Sequence, residues 1–177
     1  MPSSVKGRVT TLNVTSFGPL EGYLEECSGQ EIILVQDTHV VEDRMAAMQA
    51  KAADNGYHGM WGPALPTAGG SQGGAAVLAP MQVRVTAPPG RSSPVLEAGR
   101  VMAGYVHWGA SGGFVAISVY LRDGEGLQGD NLSTVWRVVE FLHELNSRGV
   151  AWIMGGDWNM TMEELDKARW VGRVRGS

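Results

Sequence analysis

The sequence predicts a single layered domain of the α/β or α+β class. Short apolar, β-branched segments occur in both halves of the chain, helical patterns lie between them, and glycine and proline clusters separate them. With 177 residues, the chain is long enough for one domain of ordinary size and too short for two. We therefore expect one domain over residues 1–177, and a layered sandwich is favoured over a barrel built from one type of strand.

The first third of the chain is predicted to alternate strands with helices. Strands are expected at Arg8–Val14 and Glu31–Val35, because both segments are rich in β-branched or apolar residues and both end in polar side chains. Helices are expected at Leu20–Cys27 and Asp43–Asn55, and Gly56 is placed to end the second of them.

The middle of the chain is predicted to be mostly sheet. The expected strands are Tyr57–Met60, Ala75–Leu78, Val83–Ala87, Val101–Trp108 and Phe114–Tyr120. Turn-forming clusters separate the last four, as in a β-meander. Residues Gly69–Gly74 are expected to form a flexible connector, because they lack the lysine and the following serine or threonine of a phosphate-binding P-loop.

The last third is predicted to contain the most regular helix. Asp130 or Asn131 can cap its beginning. Its apolar positions recur every three or four residues, at Leu132, Val135, Trp136, Val139, Leu142 and Leu145. A buried strand is expected next at Ala151–Met154, and Thr161 with Glu164 forms the capping-box signature of a shorter helix.

Composition excludes several classes of protein. The chain has 44% apolar and 18% charged residues, which is typical of a globular domain. A net charge of −4 gives no general electrostatic case for nucleic-acid binding, although it does not exclude a nuclease. The single cysteine, Cys27, excludes an internal disulfide or a cysteine metal site. The sequence shows neither a secretory signal pattern nor a bilayer-length apolar segment, so we expect an intracellular protein without a membrane partner.

Polar residues at the ends of predicted strands indicate a shared site. Hydrolysis of a phosphodiester needs a carboxylate to hold a hard divalent cation, a group that orients the attacking water, and neutral donors for phosphate oxygens. Asp37 is the candidate metal ligand and Asp157 the candidate water orienter. Asn13 and Asn159 are candidate amide donors, and Tyr120 adds a phenolic donor. Each of these Asp and Asn residues has a structural alternative, because both types also form turns after strands.

His39 is the one histidine retained as a candidate acid, base or metal ligand, because it lies next to the Asp37 turn. No pair among the four histidines has the helical spacing of a zinc site.

Six segments, in the same order along the chain, resemble motifs of the endonuclease/exonuclease/phosphatase superfamily, which includes apurinic endonucleases and the endonuclease domains of LINE-type retrotransposons. The segments are Thr11–Val14, Val35–His39, Gly73–Leu78, Gly99–Val101, Ser118–Leu121, and Gly155–Asn159 followed by Glu163–Asp166. The resemblance implies a four-layered, DNase I-like α/β sandwich. It also implies a phosphodiesterase that depends on Mg²⁺ or Mn²⁺ and takes nucleic acid as its substrate, with a retroelement endonuclease as the favoured subclass.

The chain departs from the family pattern in three places. Asp37 stands where the family normally has glutamate, which shortens the reach by about 1.5 Å, and Thr15 stands where many members have a second acidic or amide residue. The family's Ser-Asp-His motif has no counterpart before Ser177. We therefore expect a domain that is incomplete at its C-terminus, lacks the last strands, and has little or no activity as given. The alternatives are a non-catalytic remnant that binds a ligand, and a phosphatase of a phospholipid or inositol phosphate.

Overall fold

Two mixed β-sheets form the centre of the structure, a computed structural model that describes residues 7–27, 29–109 and 112–167. The helices are α1 Phe17–Glu26, α2 Glu42–Asp54, α3 Gly129–Ser147 and α4 Met162–Lys167. The strands are β1 Arg8–Asn13, β2 Glu31–Gln36, β3 Tyr57–Gly62, β4 Leu65–Thr67, β5 Gly70–Gln72, β6 Ala75–Pro80, β7 Val85–Thr86, β8 Val95–Glu97, β9 Val101–His107, β10 Gly113–Tyr120 and β11 Trp152–Asp157.

Each sheet places a parallel pair of strands at one edge. The first sheet has the order β1-β2-β6-β3, in which β1 and β2 are parallel and the other pairs are antiparallel. The second sheet has the order β11-β10-β9-β7, with β8 also paired to β9, and here β10 and β11 are the parallel pair. Strands β4 and β5 form a separate hairpin.

The alternation of side chains along β2 shows how the layers are built. Ile33 and Val35 pack with Leu20 and Leu24 of α1 on the outer face of the first sheet. Ile32 and Leu34 point the other way, into a core shared with the second sheet. The opposite face of the second sheet is covered by α3. The order helix, sheet, sheet, helix confirms the predicted four-layered sandwich.

The predicted meander is wrong in its assignment of sheets. The segment Ala75–Leu78 forms β6, which pairs with β2 and β3 of the first sheet instead of joining the strands that follow it. The connector expected at Gly69–Gly74 contains β5, which pairs with β4 in a hairpin. Strand β8 was not predicted, because its three residues are too few for a periodic pattern.

The face of α3 that packs on the sheet differs from the predicted one at four positions, since two predicted residues are exposed and two others, Val138 and Phe141, are buried. Leu132 and Trp136 are 39% and 41% exposed. The buried apolar positions are Val135, Val138, Val139, Phe141, Leu142 and Leu145. The helix begins after Gln128, without a side-chain cap. The Asn131 side chain instead forms hydrogen bonds with the preceding loop. It accepts the backbone N–H of Arg122 and donates to the carbonyl oxygens of Arg122 and Gly126.

The end of the described chain follows the sequence pattern closely. The capping box is confirmed, since Thr161 N–H donates to Glu164 Oε2 at 2.8 Å and Glu164 N–H donates to Thr161 Oγ1 at 3.3 Å. Strand β11 continues beyond its predicted end at Met154 to Asp157. Residues 168–177, where the sequence shows no clear element, lie outside the described residues. None of the helices in the described part is both long and apolar enough to cross a bilayer.

Glu31 begins β2 as a buried carboxylate, only 4% exposed. Burial on its own raises the pKa of this carboxyl group, but hydrogen bonds from Cys27, Thr10 and Tyr23 outweigh it and hold the pKa below its ordinary value. The Cys27 thiol donates to Oε1 at 2.7 Å, and the Thr10 hydroxyl donates to Oε2. The charged form of Glu31 therefore contributes to stability at neutral pH.

We predict that Glu31→Gln destabilises the protein at pH 7 by about 1–3 kcal/mol, because hydrogen bonds to a buried charge are lost. The folded-state pKa lies below the unfolded value of about 4.3, so the stabilisation by the carboxylate is complete above that pH and is lost as pH falls through the folded-state value. Urea unfolding at pH 7 and pH 3 measures this. The difference between the variant and the wild type should shrink at pH 3, and a difference independent of pH would contradict the assignment.

Candidate active site

The site predicted from the sequence lies at the edge of the sandwich where both parallel strand pairs end. In the first sheet, the last paired residues are Asn13 and Gln36, directly before Asp37. In the second sheet, they are Tyr120 and Asp157. Because the carboxyl ends of parallel strands meet at one edge, these side chains come together although up to 144 residues separate them along the chain.

Asn13 and Asp157 join the two sheets directly. The amide Nδ2 of Asn13 donates a hydrogen bond to Asp157 Oδ2. The other carboxylate oxygen, Oδ1, accepts the backbone N–H of Asn159 at 3.1 Å. Both oxygens of Asp157 are thus held in place, and the carboxylate has a fixed orientation.

Asn159 connects the Asp157 turn to the end of β10. Its Nδ2 donates to the carbonyl oxygen of Leu121 at 2.6 Å, and Leu121 N–H in turn donates to the carbonyl oxygen of Asp157 at 2.9 Å. One hydrogen of the Asn159 amide is therefore used within the protein, and no acceptor for the second is found among the described residues.

Asp37 is 8% exposed and is held by the loop that precedes β6. Its Oδ1 accepts the N–H of Gly73 at 3.1 Å and lies 3.2 Å from Nε2 of His39. The backbone N–H groups of Thr38 and His39 donate to the carbonyl oxygens of Gly74 and Gly73. The structure thus places His39, the retained histidine, in direct contact with the candidate metal ligand.

The turns of the site contain the four non-glycine residues with positive φ in the described chain. They are Thr15 at 54°, Asp37 at 56°, His39 at 55° and Asn159 at 45°. This left-handed conformation is uncommon for residues other than glycine, and it costs most for a β-branched residue such as Thr15. Backbone strain of this kind persists where the surrounding structure holds it, and here it coincides with the predicted site.

Tyr120 and Arg100 form a pair that the sequence did not reveal. Tyr120 N–H donates to the carbonyl oxygen of Arg100 at 2.8 Å, and the Arg100 guanidinium lies 5.5 Å from the centre of the Tyr120 ring. Arg100 is 5% exposed, and its Nη1 has no hydrogen-bond partner in the described part of the chain. Burial, and then the charge of Arg122, lower the pKa of Arg100. Arg100 belongs to a motif that carries the family resemblance, but only its cross-strand position beside Tyr120 indicates a role.

The electrostatics of the site keep the phenol of Tyr120 protonated. Its pKa is raised from the ordinary value, first by burial and then by the negative charges of Asp37 and Asp157, while Arg100 acts in the opposite direction. Hydrogen bonding with the Asp37 side chain makes a smaller contribution in the same direction to the pKa of Tyr120. Tyr120 is therefore a neutral hydrogen-bond donor at physiological pH.

The donor chemistry of the site fits a hard divalent cation that has few protein ligands. Asp37 and Asn13 offer oxygen atoms, which Mg²⁺ and Mn²⁺ prefer over nitrogen or sulfur. The described residues contain no group of three or more His, Cys, Asp or Glu side chains arranged to hold a metal. A cation held here would therefore rely on Asp37 and on oxygen atoms of the substrate, an arrangement that is common for Mg²⁺.

No protein-family profile and no curated protein sequence matches this chain. Solved structures do match. The catalytic domain of human Nocturnin with bound sulfate has a TM-score of 0.63 at 17% identity, covering 91% of this chain and 67% of its own. The endonuclease domain of TRAS1, a telomere-specific non-LTR retrotransposon, has 0.61 at 14%, covering 96% and 71%. The AP endonuclease of Leishmania major has 0.67 at 17%, covering 95% and 66%.

These neighbours are members of the endonuclease/exonuclease/phosphatase superfamily. The chain has the fold of that superfamily. The resemblance inferred from six sequence segments is thereby confirmed for the fold. The chain spans about two thirds of the length of these three structures.

The endonuclease/exonuclease/phosphatase fold brings β11 very close to β10 beside the site. A Cβ atom at Gly156 would lie 2.2 Å from the carbonyl oxygen of Val119. We predict that Gly156→Ala destabilises the protein by about 1–3 kcal/mol, because β11 must shift to avoid a backbone atom. The matched control is Gly22→Ala in α1, where a Cβ atom meets nothing within 4 Å. This control should be more stable than the wild type by about 0.5–1 kcal/mol in chemical unfolding. A stabilising effect of Gly156→Ala would contradict the close approach.

The contact between Asn13 and Asp157 predicts that the stability of an Asn13→Asp variant depends on pH. Asn13→Asp places a second carboxylate against Asp157, and the repulsion raises the pKa of one of the pair. The penalty is present above the ordinary carboxyl pKa of about 4 and disappears as pH falls below it. We expect a lower melting temperature at pH 7 and little change at pH 3.5. Asn13→Ala, which removes the hydrogen bond without adding charge, should show a smaller effect of pH. Equal pH profiles for the two variants would contradict the contact.

Proposed function

We propose that this chain carries the site of a metal-dependent phosphodiester hydrolase that acts on nucleic acid. The observation that supports the proposal is the convergence of Asn13, Asp37, Tyr120, Asp157 and Asn159 at one edge of the fold. The solved structures that share this fold include a retrotransposon endonuclease domain and an AP endonuclease. On that basis we also propose a retroelement endonuclease as the subclass.

Each residue has a role that follows from its contacts. Asp157 orients the attacking water, since Asn13 and the backbone of Asn159 hold its carboxylate. Tyr120 donates its phenolic hydrogen to a phosphate oxygen, because its raised pKa keeps that hydrogen in place at neutral pH. The second amide hydrogen of Asn159 serves another phosphate oxygen.

Asp37 would hold the cation, with the side-chain oxygen of Asn13 as a second donor. When bound, a divalent cation at this place supplies positive charge that neutralises the phosphate group. Arg100 lies behind Tyr120 and adds a fixed positive charge to the same wall of the site.

Three contacts favour a second candidate function, a non-catalytic domain that binds its ligand without cleaving it. Nε2 of His39 lies 3.2 Å from the only carboxylate proposed to hold the cation. The amides of Asn13 and Asn159 already donate to Asp157 and to the carbonyl oxygen of Leu121. A site whose polar groups satisfy one another loses some of its capacity for substrate.

A nicking assay distinguishes the two functions. Supercoiled DNA and DNA with an abasic site are incubated with Mg²⁺ or Mn²⁺ and with the chain as given, or with a version that includes the next part of the reading frame if the frame continues. We expect little or no cutting by the chain as given and metal-dependent cutting by the longer version. Asp157→Ala should lower the rate of the longer version by about 10²-fold or more, because water activation is lost.

Asp43→Ala is the matched control, since it removes an exposed carboxylate from the first turn of α2. It should leave the cutting rate unchanged. If both versions fold but neither cuts, and DNA binding remains, the non-catalytic function replaces the proposal. Cutting that survives Asp157→Ala would show that the assigned site is not the one responsible.

A further inference from the structure

A buried layer of hydrogen bonds links the two sheets just below the candidate site. Gln36, the last residue of β2, is 1% exposed, and Ser118 of β10 is fully buried. Gln36 Nε2 donates to Ser118 Oγ at 2.8 Å, and Ser118 Oγ donates to the carbonyl oxygen of Val35 at 2.7 Å. These bonds cross from the first sheet to the second, next to the apolar side chains that fill the space between the sheets.

The polar groups of this layer satisfy one another. The second hydrogen of Gln36 Nε2 goes to the carbonyl oxygen of Leu34 at 2.9 Å, and Oε1 accepts the hydroxyl of Thr11 at 3.2 Å. The Ser118 hydroxyl has one hydrogen, which it gives to Val35, so it acts as an acceptor toward Gln36. These bonds determine which way the Gln36 amide points. Gln36 and Ser118 form the buried and satisfied part of the network, which is rigid, whereas Thr11 lies at its exposed edge.

The residues of this layer lie one or two positions before residues of the candidate site. Gln36 directly precedes Asp37, and Ser118 lies two residues before Tyr120 on the same face of its strand. Thr11 stands in the same relation to Asn13. Each residue of the layer is thus joined by one or two backbone units to a residue of the site.

Strand β11, the fourth strand that contributes to the site, has a glycine where it passes the layer. Gly155 lies two residues before Asp157, and a Cβ atom there would lie 3.1 Å from Cβ of Thr11 and 3.0 Å from Cδ1 of Leu34. The absence of a side chain lets β11 approach the first sheet closely. This approach is what allows Asn13 to reach Asp157 across the gap between the sheets.

We propose that Gln36 is a positioning residue for the candidate site. Through Ser118 it sets the distance between the sheet that carries Asn13 and Asp37 and the sheet that carries Tyr120 and Asp157. Through Thr11 it ties β1, which carries Asn13, to β2 within the first of these sheets. The inference concerns the site named under the proposed function and rests on that function for its catalytic meaning. Apolar packing alone would hold the sheets together, but it has no direction and would not fix their register at this edge.

The test uses three variants. Two alter the layer, at Gln36 and Ser118, and the third alters Glu31, a buried polar residue at the opposite end of β2 from Gln36. Gln36→Leu removes the amide at similar volume, and Ser118→Ala removes only the hydroxyl. Glu31→Gln is the matched control, since it alters a buried hydrogen-bonded group at the end of β2 remote from the site. Urea unfolding gives the stability of each variant. Electron paramagnetic resonance of free Mn²⁺ gives its dissociation constant, and the NMR signal of the Asn13 side-chain amide, assigned with Asn13→Ala, reports on the contact with Asp157.

All three variants should be less stable than the wild type, but only Gln36→Leu and Ser118→Ala should change the site. We expect Gln36→Leu to weaken Mn²⁺ binding about tenfold, as loss of a group that orients a ligand typically does, and to move the Asn13 amide signal. Ser118→Ala should change both in the same direction by less. If Gln36→Leu does not fold, Ser118→Ala decides the question by the same two signals.

The proposal is overturned if the Asn13 amide signal stays in place in the folded Gln36 and Ser118 variants, or if Glu31→Gln moves it equally. Should the wild type fail to bind Mn²⁺, the metal dependence of the proposed function falls. The positioning role is then decided by the Asn13 amide signal alone, so the two failures are distinguishable.

Discussion

Face-to-face packing of the two sheets is the interaction on which the rest of the structure depends. Side chains such as Leu34, Val77, Met102 and Ala116 fill the space between the sheets and remove apolar surface from water. The candidate site is assembled from four strand ends, two from each sheet, and no two of these ends from different sheets are neighbours in sequence. The chain therefore has no site until the sheets have docked, and changes in the core between them act on the site as well as on stability.

Features set by local patterns could be predicted from the sequence, and features set by distant contacts could not. The strand Glu31–Gln36 and the capping box at Thr161 follow from residues close together in the chain. The sheet to which Ala75–Pro80 belongs depends on strand pairing across distant segments, so the meander expected there was wrong. Polar residues at strand ends pointed to the site residues. Arg100 was missed as a participant because its position beside Tyr120 depends on the register of two strands.

The site is where the chain departs most from ordinary local preferences. Thr15, Asp37, His39 and Asn159 all adopt a backbone conformation that glycine would accept more readily. A buried guanidinium also lies there without a hydrogen-bond partner for Nη1 in the described residues. Departures of this kind tend to collect where function constrains the chain.

The sheet order has a consequence for the behaviour of the protein in concentrated solution. Among the described residues, β1 and β11 each pair with a neighbour on one side only, and the two lie at the same side of the sandwich. Open strand edges can pair with those of another molecule and lead to aggregation. Strand β1 carries several polar residues, whereas β11 exposes Ile153 at 39%. Of these two edges, the β11 edge is therefore the more prone to aggregation. Charged substitutions or a covering segment at that edge should favour a monodisperse preparation.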